Sequence, residues 1–227
     1  MKYKAILFDN DDTIMDFQAC NRNAISLLLD EIGYYHPDRY DQYEEINLKC
    51  WRALEKGEMN QDQVKYKRFK RFFEQYAIPW NPQAAAERFA ELLGRQSILL
   101  PGTEETLRKI SRKLPIVIVT NGIATIQKAR FEHSPIKEIA TSIIISEEVG
   151  IAKPDPNIFK IALDSVHVCA KDALMVGDGV ESDVHGANNA GIDVCWVNPG
   201  KKVLPKGIHA EYEITDIIDC IGIALQD

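Results

Sequence analysis

Cysteine is scarce in this sequence, and so is any excess of positive charge. The 227 residues hold 5 cysteines, an odd number with no C-x-x-C pair and no Cys/His cluster at zinc spacing, so neither a disulfide framework nor a structural zinc site is expected. Such thiols suit a reducing cytoplasm, and Cys195, between Val194 and Trp196, reads as a small core hydrophobe. Lys and Arg number 27 against 34 Asp and Glu, a formal net charge of −7, which offers no broad basic face to duplex DNA or RNA. No stretch approaches the roughly 18 consecutive apolar residues of a membrane span. The apolar run Ala5–Phe8 stops at Asp9, too short for a signal-peptide core. Internal repeats and low-complexity segments are missing too. The five histidines, His36, His133, His167, His185 and His209, show no pairing with a candidate nucleophile, and none is given a catalytic role. What is present is 45% hydrophobic and 27% charged, ordinary content for a soluble cytoplasmic globular protein of one domain or a domain with an insert.

Short runs rich in β-branched residues recur at Lys4–Phe8, Pro115–Thr120, Ser142–Ser146, Ala173–Val176 and Ile192–Val197. They are apolar without alternation, as parallel strands covered on both faces should be. After residue 100, helical patterns at Glu104–Leu114, Pro156–Ser165 and Glu181–Ala190 lie between them. Strand alternating with helix predicts an α/β fold built on a doubly wound parallel sheet. Residues 15–97 interrupt that rhythm. Apolar stripes at three- and four-residue steps (Phe17, Cys20, Ala24, Leu28; Tyr43, Ile46, Cys50, Leu54; Phe69, Phe72, Phe73, Tyr76; Ala85, Phe89, Leu92, Leu93) predict four helices, with breaks near Gly33–Asp38, Gly57 and Ile78–Pro82. The expected layout is a core of residues 1–14 and 98–227 with a helical domain, 15–97, inserted after the first strand.

Each cluster of reactive polar residues follows a predicted strand, where open α/β sheets bind ligands. In Asp9-Asn10-Asp11-Asp12-Thr13, residues two apart on an extended segment point the same way, so Asp9 and Asp11 can share a pocket. Paired carboxylates need a cation between them or a division into base and acid. An EF-hand loop is ruled out, because its sixth and twelfth positions would be Ile14 and Cys20 in place of Gly and Glu; a polar turn with Asp12 or Thr13 capping a helix is the simpler alternative. Thr120-Asn121-Gly122 resembles an anion site at a helix start, or simply a cap. Lys153, ahead of Pro154, is held on a stiff loop where its ammonium can neutralise phosphate oxygens, although a lone lysine is by default a surface residue. In Gly177-Asp178-Gly179-Val180-Glu181-Ser182-Asp183, Asp178 stands at the sheet edge and Asp183 about one helical turn later, carboxylates suited to a hard cation or merely to a turn and a surface. Four such signals in one order carry more weight than any one of them.

Together these residues resemble the haloacid dehalogenase superfamily of phosphohydrolases, whose motifs D-x-D-x-T, Thr/Ser, Lys and G-D-x(3-4)-D match Asp9–Thr13, Thr120, Lys153 and Gly177-Asp178 with Asp183. The helical insert is similar to that superfamily's cap. Asp11-Asp12, Asp16-Phe17, Thr120-Asn121-Gly122, Ile145–Gly150 and Gly177–Asp183 resemble its pyrimidine 5′-nucleotidase branch in particular. The resemblance implies Asp9 as a nucleophile forming an aspartyl-phosphate and Asp11 as the acid and then base. It implies Mg²⁺ held by Asp9, the Asp11 carbonyl and Asp178 with Asp183 in support, and phosphate held by Thr120, Asn121 and Lys153. The implied substrate is a small phosphorylated metabolite, a nucleoside monophosphate above all, handled by a monomer or homodimer. A sugar-phosphate or phosphoglycolate phosphatase, a phosphomutase and a silent regulatory member are the alternatives. Asp12 stands where Gly is commoner, which Asp tolerates because it enters the left-handed region more easily than most residues.

Within the insert, Asp16, Phe17, Asn21 and Trp51 are the candidates for a base-contacting wall. Lys65–Arg71 packs five basic residues into seven; its apolar stripe predicts buried Phe69, Phe72, Phe73 and Tyr76 under a solvated basic face.

Overall fold

A computed structural model describes residues 1–226; Asp227, the last residue of the expected core, lies outside the described residues. Strand β1 (Ala5–Phe8) is followed by helices α1 (Phe17–Glu31), α2 (Arg39–Glu55), α3 (Gln61–Gln75) and α4 (Pro82–Gly94). The chain then alternates: α5 (Thr103–Ser111), β2 (Ile116–Thr120), α6 (Ala124–Glu132), α7 (Ile136–Ile139), β3 (Ser142–Ile145), α8 (Ser146–Val149), α9 (Pro156–Asp164), β4 (Ala173–Gly177), α10 (Gly186–Ala190), β5 (Asp193–Val197), β6 (Tyr212–Ile214) and α11 (Cys220–Ala224). Two compact units result, Met1–Phe17 with Ser97 onward, and Gln18–Gln96.

In the first unit the six strands form one sheet in the order β3-β2-β1-β4-β5-β6, every pairing parallel. Alternate side chains leave opposite faces of a strand, and the core divides accordingly. Ile6, Phe8, Ile116, Ile118, Leu174 and Val176 pack with Leu107, Ile110 and Phe131 on one face, while Leu7, Val117, Val119, Met175 and Trp196 pack with Ile158, Phe159 and Val184 on the other. Register puts Phe8 opposite both Ile118 and Val176, so the loops after β1, β2 and β4 leave the sheet at one end. The chain runs from β1 outward to β3 and then returns to the far side of β1 at β4; the β1/β4 boundary is therefore the switch point at which open sheets form crevices.

Strand β6 is the one strand without a sequence signal, since three residues, Tyr-Glu-Ile, are too few to establish a pattern. The helix expected at Glu181–Ala190 begins as a π-helical turn, Val180–His185, and continues as α10.

In the second unit Tyr43, Phe69, Phe72 and Phe89 form an aromatic cluster with ring centroids 5.4 to 6.3 Å apart. Tyr76 is only half-buried, and the basic run is not wholly solvated as the sequence predicts. Arg68 is buried, its guanidinium over the rings of Phe89 and Phe69 at 4.7 and 5.2 Å. The stripe that buries Phe69 and Phe72 is wide enough to take position 68 inside, where the aromatic faces and an amide replace water.

Candidate active site

Motif one leaves β1 with Asp9, whose N–H donates to Val176 O of β4 at 2.9 Å. Asp12 then takes the left-handed conformation, φ 61°, and its carboxylate accepts the Phe17 N–H at the start of α1. Asp at this position is thus both tolerated and used, as a polar anchor that Gly could not supply. Thr13 is fully buried; its hydroxyl donates to Asp178 Oδ1 at 3.2 Å and accepts the Asp178 N–H at 3.1 Å. That two-way link ties the loops on either side of the switch point together. Trp196 Nε1–H donates to the Asp178 carbonyl at 3.0 Å, fixing the same loop from β5.

Lys153 is the centre of the arrangement. Far from being a surface lysine it is 5% exposed, and its Nζ lies 2.5 Å from Asp9 Oδ1 and 2.6 Å from Asp183 Oδ1. Asn121 sets its backbone: the Asn121 amide donates to Lys153 O and its carbonyl accepts Lys153 N–H, both at 2.8 Å. The Asn121 side chain, expected on phosphate, is therefore committed to holding the lysine loop. Thr120 is buried and its Oγ1 accepts the Gly122 N–H at 3.2 Å, which shapes the turn at the end of β2.

Asp183 is fully buried, with Oδ2 accepting the Gly179 N–H at 2.9 Å. Gly177 makes this possible, because a Cβ there would stand 2.5 Å from Asp183 Oδ2. Oxygens of Asp9, Asp178 and Asp183 all lie within 4.8 Å of one another, and one lysine cannot neutralise three carboxylates. Burial pushes Asp9 well above the ordinary carboxylate range, with the Asp183 charge adding to it against the opposing pull of Lys153. Asp178 is pushed up to about 6, chiefly by burial and then by Asp183 and Asp12. For Lys153 burial acts to lower the value, and the two aspartates outweigh it and raise it. Desolvated carboxylates repelling one another are the electrostatic condition for binding a hard divalent cation. Both oxygens of Asp183 already accept hydrogen bonds, from Lys153 Nζ and from the Gly179 N–H.

Asp11 is not in this cluster. Its carboxylate pairs with the guanidinium of Arg130, which is fully buried, and accepts the Gln127 amide at 2.8 Å. Neither α6 residue was identified by motif; only their i, i+3 spacing on the helix after Thr120-Asn121-Gly122 places them on one face. Thr13 was legible only as a cap, since its partner lies 165 residues away.

The four residues expected in a base-contacting wall of the insert divide, Asp16 and Phe17 falling in the first unit and Asn21 and Trp51 in the second. Phe17 lies over the Arg130 guanidinium at 5.8 Å, and Asp16 is half-buried with its N–H donating to Ile98 O. Asn21 is buried and its amide donates to Glu44 at 3.1 Å, so its polar edge serves the interior. Asn47 donates to the same Glu44 oxygen and accepts both Trp51 Nε1–H and Arg68 Nη1–H, which joins Asn21 and Trp51 in one network within the second unit.

Known proteins resemble this chain over nearly its whole length. The pyrimidine 5′-nucleotidase PynA of Streptococcus pneumoniae is 32% identical over 227 residues, covering 97% of this chain and 96% of that protein. The pyrimidine 5′-nucleotidase YjjG of Escherichia coli is 30% identical over 218 residues, covering 96% of each. The crystal structure of the HAD-hydrolase YfnB of Bacillus subtilis bound to magnesium superposes with a TM-score of 0.90 at 30% identity, covering 99% of this chain and 100% of that one. The haloacid dehalogenase-like hydrolase profile matches residues 6–197, and with relatives at this identity over nearly their whole length the chain belongs to that family.

Proposed function

We propose that the protein is a Mg²⁺-dependent phosphomonoesterase acting on nucleoside monophosphates, pyrimidine ones first. The observation that carries the reading is Lys153, buried between Asp9 and Asp183 with Asp178 alongside. A cation buried among carboxylates at a sheet's switch point is costly as architecture and useful as an anion receptor. Asp9 attacks phosphorus, a carboxylate O–P bond forms and the ester P–O bond breaks, while Asp11 gives its proton to the departing alkoxide. Water then attacks the aspartyl-phosphate as Asp11 takes a water proton, the carboxylate O–P bond breaks, and inorganic phosphate leaves with Asp9 restored. Lys153, Thr120 and the backbone N–H groups after β2 hold phosphate oxygens. Mg²⁺, held by Asp9, Asp178 and the Asp11 carbonyl with Asp183 behind, supplies the positive charge that lets an anionic carboxylate meet an anionic ester. The named activity of PynA and YjjG and the magnesium of YfnB support these finer choices. Asp16 and Phe17, partly exposed in the first unit, and Trp51, partly exposed in the second, are the candidates for base contact, while Asn21 serves Glu44 in the interior of the second unit. The five unpaired thiols suit the cytoplasm.

The test is phosphate release with Mg²⁺ across nucleoside monophosphates, sugar phosphates and phosphoglycolate. Uridine or thymidine monophosphate should lead, chelator should abolish release, and Asp9→Asn should lower kcat by about 10⁴-fold or more. A sugar phosphate leading by kcat/KM would replace the nucleotidase reading, and an Asp9→Asn variant as fast as wild type would end the phosphatase one.

A further inference from the structure

Arg130 and Gln127 lie outside every motif, yet they hold the one reactive carboxylate that the metal cluster leaves out. Arg130 is fully buried and Gln127 is 2% exposed, and both reach Asp11 from α6. The two contacts differ in character. Asp11 Oδ1 takes the guanidinium and also the Asn10 amide, at 3.3 Å, whereas among the described residues Oδ2 takes Gln127 Nε2 alone, at 2.8 Å. A carboxylate oxygen has two acceptor directions, so Oδ2 retains one for a proton in transit. Gln127 cannot turn around: its carbonyl accepts Asn10 Nδ2–H at 2.7 Å, which obliges the amide nitrogen to face Asp11. The side chain also needs space that only glycine leaves, since a Cβ on Gly122 would lie 2.2 Å from Gln127 Nε2, 2.6 Å from its Cγ and 2.7 Å from its Cδ. The glycine of Thr120-Asn121-Gly122 thus serves the loop of β1 as well as its own.

We infer that Arg130 and Gln127, admitted by Gly122 and oriented by Asn10, are positioning residues that aim Asp11 Oδ2 for proton transfer to the leaving group and from water. The inference rests on the phosphatase reading above. Its basis is orientation: one oxygen of the carboxylate is fixed by Nη1 of a buried guanidinium and the other by an amide with a single permitted orientation.

The experiment uses the full chain with Mg²⁺ and two substrates, uridine 5′-monophosphate, whose alkoxide must be protonated as it leaves, and p-nitrophenyl phosphate, whose phenolate needs no proton. Gln127→Ala is expected to lower kcat for the nucleotide about 10- to 100-fold with KM within about twofold. With p-nitrophenyl phosphate the same variant should release one equivalent of nitrophenol per enzyme in a burst, followed by slow turnover as unaided water attacks the aspartyl-phosphate. Arg130→Lys, which keeps the charge but loses the planar guanidinium that carries Nη1 to Oδ1, should show the same pattern. Gly122→Ala should be damaging alone and add little on top of Gln127→Ala, because the side chain it displaces is already gone. A merely structural role predicts equal losses on both substrates, no burst, and loss in proportion to the fraction unfolded. That pattern, or a Gln127→Ala variant as fast as or faster than wild type, overturns the inference. No turnover by the wild-type chain on any phosphomonoester would instead end the phosphatase reading, and this inference with it; an active wild type with unaffected variants ends the inference alone.

Discussion

Asp9, Lys153 and Asp183, the buried charges clustered in the α/β unit, sit on loops and turns at the C-terminal end of the sheet, whereas Asn21, Asn47 and Arg68, buried polar groups of the helical unit, sit on helix faces. Asp9, Lys153 and Asp183 repel as much as they attract, two carboxylates with a third nearby against one ammonium. Asn21, Asn47 and Arg68 instead form a chain of complementary donors and acceptors that links α1, α2 and α3 through Glu44 and Trp51. The first set is electrostatically unfinished and calls for a ligand; the second is nearly self-satisfied and holds helices together. Burial alone does not separate machinery from architecture. The balance of charge within the buried set does.

Lys153→Met should sharpen this contrast most. It leaves Asp9 and Asp183 buried without their cation, and breaking such a pair costs about 3–5 kcal/mol, measurable by denaturant unfolding of the metal-free protein. kcat should fall by about 10²-fold or more as the phosphate loses its ammonium. A variant as stable as wild type would show that the buried charges relax without the lysine. Arg68→Leu is the matched change in the helical unit. It should cost about 1–2 kcal/mol by removing one of the two donors to the Asn47 carbonyl, which keeps Trp51 Nε1–H, and the guanidinium's place over Phe69 and Phe89, and leave kcat on p-nitrophenyl phosphate within about twofold; a large loss of kcat without a loss of stability would erase the distinction between the two units.

The third and smallest effect is one of pH. Asp178, raised to about 6 on folding, binds its proton more tightly folded than unfolded, so it costs the fold nothing below the ordinary carboxylate value near 4 and opposes it increasingly as pH rises toward and through about 6. In the metal-free protein Asp178→Asn should therefore be more stable than wild type above about pH 6, with the gain vanishing as pH approaches the ordinary carboxylate value near 4. Mg²⁺ affinity should weaken about tenfold for each pH unit below 6, because the proton competes for the same oxygen. Titration calorimetry at pH 5, 6 and 7 checks both the sign and the slope, and a flat profile would remove Asp178 from the ligand set.

Much of the α/β unit was legible because its signals are local. Unbroken runs such as Ile116–Thr120 announce buried strands, and a reactive residue one or two positions beyond such a run is delivered to the sheet's end by topology alone. What stayed hidden depends on partners far away in sequence. Nothing near Lys153 reveals that Asn121 clasps its backbone, and nothing near Gln127 reveals Asn10. In the helical unit periodicity located the helices but could not say that Arg68 points inward or that Asn21 serves Glu44, because the stripe's edge is where apolar and polar readings meet.

The hydrogen-bonded pair Thr13 and Asp178 spans 165 residues, and the Asp9 to Lys153 pair spans 144. During synthesis Asp9 emerges long before Lys153, Asp178 and Asp183, the residues that charge and neutralise its pocket, so no chain shorter than 183 residues holds the assembled cluster. Because parallel pairing of β1 with β4 must wait for that late segment, the slowest contacts of folding are also those that create the chemistry.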